Sequence, residues 1–301
     1  MGVGPGVVKL SLDLWQRGYF KQIKSVVELG SQELMLTPAH FERLIRVAGV
    51  AGYRREDFPH LENWPGHPRC SARPFYELLG VERYSCVDLN GQHGAIPLDL
   101  NLPLEDTSLY GQFDLVTDHG CAEHAFNIAE AYRTMHRLCR REGLLVASQN
   151  VYGGGNGYYN FDAPFFEGLA AANQYRVLFA SYIVVPKGPA ETFNEFHVPL
   201  SQRLLDTLDW SKVHYLSICY VLQKQREEEF KLPYQGSYLA EREGHHGYKL
   251  QFLPDPPSRT YVPVTEGSLT YTPTRALIGL TARRVAQAIR TRLSGVGRAR
   301  L

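Results

Sequence analysis

Short apolar segments of β-strand length recur along the first 223 residues and alternate with segments of helical periodicity. This alternation is typical of an α/β fold with a mainly parallel sheet. The last two candidate strands are the longest, and we expect them to form an antiparallel pair that closes the sheet. The candidate strands cover residues 25–29, 84–89, 94–98, 113–117, 143–148, 176–184 and 213–222.

More than fifty residues separate the first two candidate strands, whereas crossover connections are usually short. They include a helical pattern over 38–50 and a polar loop over 57–69. We therefore predict an insertion at about 35–72, of the kind that often forms a lid. Further along, Asp162-Ala163-Pro164 predicts an N-cap and first-turn proline that open a helix running to residue 172.

Composition changes near residue 254, where several prolines precede a basic helical pattern over 276–293. Residues 255–301 hold eight arginines and two acids, a net charge of +6, and the other 254 residues carry 24 basic and 29 acidic side chains, a net charge of −5. We predict an N-terminal helical segment over 1–24, one domain over 25–253 and a C-terminal appendage over 254–301. The basic helix could contact an anionic membrane, RNA or an acidic partner, but we favour a solvated face of a helix that forms a homodimer.

Several classes of protein are disfavoured by the sequence. The overall charge is +1, so no global basic excess marks a nucleic-acid binder. No apolar run reaches the ~18 residues of a membrane helix, and residues 1–9 lack the pattern of a signal peptide. The five cysteines are scattered without C-x-x-C spacing, and the spacing of His60, His67 and Cys70 suits no common metal site. We expect a cytoplasmic protein with no membrane span and no metal.

Two strand ends carry the chemistry that a nucleoside ligand needs. The first strand includes Glu28 and is followed by Gly30, which allows a ligand close to the backbone because it has no Cβ. The second strand ends at Asp88, a position from which a carboxylate can accept both hydrogen bonds of a ribose diol. Because ligands of such sheets lie at the carboxyl ends of the strands, we expect an adenosine-type ligand.

These segments resemble the class I S-adenosylmethionine-dependent methyltransferases, in particular a bacterial small-molecule subgroup whose first motif reads Glu28-Leu29-Gly30-Ser31-Gln32. The resemblance covers roughly residues 15–238. It rests also on the motifs at 86–91, 97–101, 113–117 with Glu123-His124, and 232–236. It implies a Rossmann-like seven-stranded methyltransferase sheet with an antiparallel last strand, flanked by helices, with S-adenosylmethionine lying across the ends of strands one, two and four.

The resemblance also assigns the cofactor-binding residues. It places Glu28 and Gly30 beside the amino-acid part of the donor, Asp88 at the ribose, and Asp99 with Leu100 at the adenine. The full set is Glu28, Gly30, Ser31, Gln32, Asp88, Leu89, Asp99, Leu100, His119 and Gly120.

One departure from the family pattern concerns the donor loop. The commoner E-x-G-x-G-x-G motif has lost two of its three glycines here, which are replaced by Gln32 and Leu34. Gln32 could bind the carboxylate or ammonium group of the donor, or it could hold the loop against the insertion.

Candidate catalytic residues follow the fourth strand. Methyl transfer is an in-line displacement in which the protein positions the reactants and, for a hydroxyl acceptor, supplies a base. His124, in a helix predicted over 123–139, is the candidate base, with Glu123 beside it. Alternatively, Glu123 caps that helix and His124 packs beneath it. His119 is expected near the methyl group, and His197 is a further candidate in the region where acceptor-facing loops often lie.

The sequence therefore predicts methyl transfer to a small-molecule acceptor, at a hydroxyl oxygen of a sugar or secondary metabolite. The glycine- and tyrosine-rich segment 149–161 suits an acceptor wall, although a surface loop is an equal alternative. Other open alternatives are N-methylation of a small molecule and a non-catalytic S-adenosylmethionine-binding module. Nucleic-acid methylation is disfavoured because the sheet domain is acidic.

Overall fold

A computed structural model describes residues 2–153, 157–188, 194–201, 205–206 and 208–234, with positions 282, 285 and 286. Its strands are β1 (Gly2–Val3), β2 (Ser25–Leu29), β3 (Glu33–Leu34), β4 (Arg83–Val87), β5 (Phe113–His119), β6 (Cys139–Gly153), β7 (Arg176–Pro186), β8 (Phe196–Val198) and β9 (Val213–Gln223). Its helices are α1 (Pro5–Gln16), α2 (Pro38–Ala48), α3 (Arg73–Leu78), α4 (Ile128–Leu138) and α5 (Ala163–Asn173).

A seven-stranded sheet in the order β4-β2-β5-β6-β9-β7-β8 forms the centre of the fold. The strands β4, β2, β5 and β6 are parallel, whereas β9 runs antiparallel to both of its neighbours, β6 and β7. Helices lie between the strands in the chain, so the fold is a Rossmann-like α/β sheet. The predicted antiparallel pair of long strands is confirmed.

The strand predicted over 94–98 does not form, so this prediction was wrong. Of these residues only Ile96 pairs with the sheet, through a single parallel bridge to Val87. Pro97, which follows, has no N–H to donate to a ladder, so pairing cannot continue through it. The seventh place in the sheet is taken instead by β8, at the opposite edge.

The helix predicted over 123–139 is also shorter than expected. Residues Ala122–His124 form a 3-10 turn, Ala125 is extended, and α4 begins only at Ile128. At its other end Cys139 already belongs to β6. The predicted start of α5 is confirmed, because the Asp162 carboxylate accepts a hydrogen bond from the backbone N–H of Phe165 at 3.2 Å.

The N-terminal segment and the insertion are built into the core. β1 pairs in parallel with β3, and α1 packs against α2. In the insertion, the ring of Phe41 packs against those of Phe58 and Phe75, with centroids 5.0 and 5.7 Å away. Phe41 and Phe58 are buried, so this segment is anchored by apolar contacts rather than lying open.

The predicted C-terminal appendage and its basic helix lie almost wholly outside the described residues. The homodimer expected from that helix stays a prediction. The domain limits likewise stay predictions. In the described part of the chain, no helix is long and apolar enough to cross a bilayer. The five cysteines are free and buried.

Candidate functional site

The turn that follows β2 brings three strand ends together. Gly30 has a φ of +84°, and its N–H donates to the carbonyl of Val87 at the end of β4 at 2.8 Å. A Cβ at this position would lie 2.9 Å from Nε2 of Gln32 and 3.1 Å from Sγ of Cys121, which follows β5. The turn therefore requires glycine both for its backbone conformation and for space.

Asp88 ties this turn to the end of β4. Its Oδ2 accepts hydrogen bonds from the N–H and the hydroxyl of Ser31, at 2.9 and 3.0 Å, and its Oδ1 accepts from the N–H of Asn90 at 3.1 Å. An ionised carboxylate has about four acceptor sites, so capacity for a further donor is left. Asp88 is half-buried, and it shapes the loop as well as facing the sheet edge.

Two other predicted cofactor residues are held inside the protein. The Glu28 carboxylate accepts hydrogen bonds from the Tyr84 hydroxyl at 2.5 Å and the Thr117 hydroxyl at 3.4 Å, and burial raises its pKa to about 7. Gln32 donates from Nε2 to the carbonyl of Leu29 at 2.8 Å, while its Oε1 has no hydrogen-bond partner among the described residues. Gln32 thus braces the loop and retains one free buried acceptor.

Three further predicted cofactor residues are Leu89 and the two predicted at the adenine, Asp99 and Leu100. The side chain of Leu89 is 68% exposed, whereas Leu100 is buried. Asp99 accepts hydrogen bonds from the backbone N–H and side-chain amide of Asn101, which lower the pKa of its carboxyl. None of the three lines the cavity described next.

A cavity of about 210 Å³ opens at the ends of β5 and β6. It includes four of the predicted residues, and it adds side chains from β6, β7 and β9, from the segment before β8, and from the N-terminal segment. Met35 is its contribution from the insertion. The lining residues are Gly2, Gly4, Val7, Met35, His119, Gly120, Glu123, His124, Ser148, Asn150, Ile183, Glu195, Tyr215 and Ser217.

His119, the last residue of β5, is the most unusual side chain in this lining. It is 4% exposed, and neither ring nitrogen has a hydrogen-bond partner among the described residues. Burial lowers its pKa to about 3, so the ring stays neutral near pH 7. A neutral imidazole has one donor and one acceptor, which is the pair that a ligand hydroxyl can satisfy.

Glu123 and His124 follow in the 3-10 turn. Oε2 of Glu123 accepts from the backbone N–H of Asn150 at 3.2 Å, and Oε1 lies 3.7 Å from Nε2 of His124. Burial raises the pKa of Glu123, while His124 keeps a third of its side chain exposed. The arrangement is an accessible imidazole beside an anchored carboxylate, which suits proton transfer at the cavity.

His197 is placed elsewhere. It lies on β8, and its ring nitrogens pair with the hydroxyl of Ser181 at 2.7 Å and the carbonyl of Gly6 at 2.8 Å. It is 1% exposed, and burial lowers its pKa to about 4. Both nitrogens are thus occupied by protein groups, and the structure does not bring His197 to the cavity as an acceptor-facing residue.

Asp118 was not predicted from the sequence, although it holds the turn after β5 through hydrogen bonds. Its Oδ1 accepts from the backbone N–H groups of Cys121 and Ala122 at 2.9 and 3.1 Å, and its Oδ2 accepts from the side chain of Gln149. Burial raises its pKa to about 7. An acid as the penultimate residue of a buried strand was the available signal.

It was likewise not predicted from the sequence that the N-terminal segment and Glu195 line the cavity. The Glu195 carboxylate lies where a Cβ at Gly4 or Gly6 would be, and it accepts a hydrogen bond from the Gly6 N–H at 2.5 Å. Alternating glycines at 2, 4 and 6 were the signal for this close approach. The tyrosine-rich segment 149–161 is described except for 154–156; within it Asn150 lines the cavity, and the hydroxyl of Tyr159 donates to the carbonyl of Phe126 at 2.6 Å.

Among the described residues, no group of three His, Cys, Asp or Glu side chains is arranged to hold a metal ion.

Comparison with known proteins gave matches among solved structures, whereas no protein-family model and no curated sequence matches. The 1,6-didemethyltoxoflavin-N1-methyltransferase of Burkholderia thailandensis, solved with S-adenosylhomocysteine, is 13% identical with a TM-score of 0.37, over 73% of this chain and 79% of that chain. An S-adenosylmethionine-dependent methyltransferase from Thermotoga maritima, a possible histamine N-methyltransferase, is 9% identical with a TM-score of 0.36, over 73% and 92%. A Burkholderia thailandensis O-methyltransferase family protein is 12% identical with a TM-score of 0.32, over 73% and 58%. These three structures are named as methyltransferases, and at 9 to 13% identity they assign no role to this chain.

Proposed function

We propose that this protein is an S-adenosylmethionine-dependent methyltransferase that methylates a hydroxyl oxygen of a small molecule, a sugar or a secondary metabolite. We place it in the bacterial small-molecule subgroup that the Glu28-Leu29-Gly30-Ser31-Gln32 motif resembles. One observation carries the proposal: a single cavity unites neutral His119, whose ring nitrogens have no partner among the described residues, with the Glu123–His124 pair. Such a site at the carboxyl ends of parallel strands is where α/β sheets bind ligands.

The residues at the sheet edge fit the donor. Gly30 forms the left-handed turn that brings this edge together, Asp88 has acceptor capacity for a ribose hydroxyl, and Oε1 of Gln32 is a buried acceptor without a partner among the described residues. Exposed Leu89 offers apolar surface next to Asp88. When bound, S-adenosylmethionine supplies a methyl group activated by its sulfonium sulfur.

The protein's own part is to orient the acceptor and to move one proton. His119 holds the acceptor hydroxyl through one of its ring nitrogens, since it stays neutral. His124 takes the hydroxyl proton, and Glu123 stabilises the imidazolium that forms, because its carboxylate is fixed by the Asn150 N–H.

Calorimetric titration with S-adenosylmethionine and S-adenosylhomocysteine tests the proposal, followed by product analysis with a panel of hydroxylated and amine acceptors. We expect both ligands to bind and a methylated hydroxyl compound to form. Binding without any product would indicate a non-catalytic module, and a methylated amine would indicate an N-methyltransferase. If neither ligand binds, the proposal is wrong.

A further inference from the structure

The cavity has a charge character that restricts its acceptor. Two carboxylates, Glu123 and Glu195, line it, and the described lining residues include no lysine or arginine. Glu123 is committed to His124 and to the Asn150 N–H. Glu195 has no such role in the proposed chemistry, so its presence in the lining requires another explanation.

Glu195 is held firmly in place. Its Oε2 accepts from the Gly6 N–H at 2.5 Å, its Oε1 accepts from the Tyr215 hydroxyl at 2.8 Å, and the residue is 4% exposed. Each oxygen keeps acceptor capacity beyond these bonds. This carboxylate occupies the space that a Cβ at residue 4 or 6 would fill. The N-terminal segment therefore needs glycine at both positions, Gly4 and Gly6.

Burial raises the pKa of the Glu195 carboxyl, and the nearby Lys9 ammonium opposes that rise. The ammonium donates to Oδ1 of Asn194 at 2.8 Å and to the backbone carbonyl of Glu195 at 2.6 Å, and the residue is 2% exposed. Lys9 does not line the cavity. The cavity wall at Glu195 therefore presents hydrogen-bond acceptors to whatever enters.

We propose that Glu195, with the Tyr215 hydroxyl, binds the acceptor, and that the part of the acceptor inside the cavity is a hydroxylated ring without a phosphate or carboxylate group. This rests on the proposed function and deepens it. The ring nitrogens of buried His119, which have no partner among the described residues, provide the independent sign that a polar ligand belongs here. An ionised phosphate or carboxylate group has no hydrogen to donate to the Glu123 and Glu195 oxygens, whereas a ring hydroxyl does.

The volume of the cavity also favours a single ring as the part of the acceptor that enters it. A volume of about 210 Å³ lies below the about 300 to 1,000 Å³ usual for drug-sized ligands, so the cavity suits one ring or the reacting end of a larger molecule. One hydroxylated ring fits this volume and can donate hydrogen bonds to the acceptors of the lining.

Two matched probes test the proposal: methyl β-glucopyranoside and the same ring with a carboxylate at carbon six. Each is titrated into the full chain saturated with S-adenosylhomocysteine. We expect the neutral ring to bind and the carboxylate to bind at least tenfold more weakly, a difference of about 1.4 kcal/mol. Glu195→Gln should reduce that discrimination to threefold or less.

Two further variants test the role of the Tyr215 hydroxyl and provide a control. Tyr215→Phe removes only the hydroxyl and should weaken the neutral probe, while Glu82→Gln, at an exposed acid far along the chain from the cavity segments, should change neither value. Retained S-adenosylhomocysteine affinity shows that each variant is folded. Equal or tighter binding of the carboxylate, or no binding of either probe to the saturated protein, overturns the inference. Failure of S-adenosylhomocysteine itself to bind is the separate failure of the proposed function.

Discussion

Oδ2 of Asp88 accepts both the backbone N–H and the hydroxyl of Ser31, a residue 57 positions earlier in the chain. These two bonds join the end of β4 to the turn after β2. The residue that the resemblance assigns to the ribose is therefore also the residue that shapes the donor loop. Changing Asp88 tests both properties together.

Asp88→Ala should weaken S-adenosylhomocysteine binding by about 1 to 3 kcal/mol, because the ligand loses an acceptor and the Ser31 N–H loses its partner. Calorimetry measures the change. Asp106→Ala is the matched control, since Asp106 likewise accepts the N–H and hydroxyl of a serine, Ser108, but in an exposed turn. Equal affinity of the Asp88 variant and the wild type would remove Asp88 from the site.

His124→Ala should lower turnover by about 10² to 10⁴-fold with nearly unchanged S-adenosylhomocysteine affinity, because it removes the base but no donor contact. Turnover with the identified acceptor and calorimetry are the two measurements. His214→Ala, at an exposed histidine of β9 that does not line the cavity, serves as control. Loss of donor affinity in the His124 variant would give His124 a structural or cofactor role instead.

Asp118→Ala should destabilise the protein by about 1 to 3 kcal/mol, since it leaves the buried N–H groups of Cys121 and Ala122 without their acceptor. Urea unfolding measures the loss. Asp118→Asn keeps an oxygen acceptor and should cost less. If the two variants are equally stable, these bonds do not hold the turn.

Glu28 should make stability depend on pH. Burial raises its pKa from 4.5 to about 7 in the folded protein, so its favourable contribution is present below pH 4.5 and is lost as the pH rises through 7. The stability of the wild type relative to Glu28→Gln should therefore fall between pH 5 and pH 8, by an amount on the order of 2 kcal/mol. Urea unfolding of both proteins at both pH values measures this.

In the comparison of the wild type with Glu28→Gln, the contributions of other titrating groups to the pH dependence of stability cancel. Buried histidines such as His197, whose pKa is lowered to about 4, have the opposite pH dependence but are present in both proteins and cancel. A relative stability that stays constant or rises with pH would contradict the prediction.

The sequence was sufficient where local pattern decides structure. Apolar runs located β2, β5 and the long pair β7 and β9, and Asp162-Ala163-Pro164 located the start of α5. It was insufficient at residues 94–98, where the run is apolar but a proline stops the ladder after one bridge. It was also insufficient at 123–127, where hydrogen bonds to Asp118 favour a 3-10 turn over helix.

For the site, adjacency along the chain placed His119, Gly120, Glu123 and His124 together, and the structure brings these four to one cavity. The sequence could not show that the ring nitrogens of His197 form hydrogen bonds with Ser181 and Gly6, because those partners are distant in the chain. Nor could it place Glu195 beside residues 4–6, since that contact exists only once β8 and α1 have packed. Strand ends and their turn residues are local properties, whereas which side chains share a cavity depends on long-range packing.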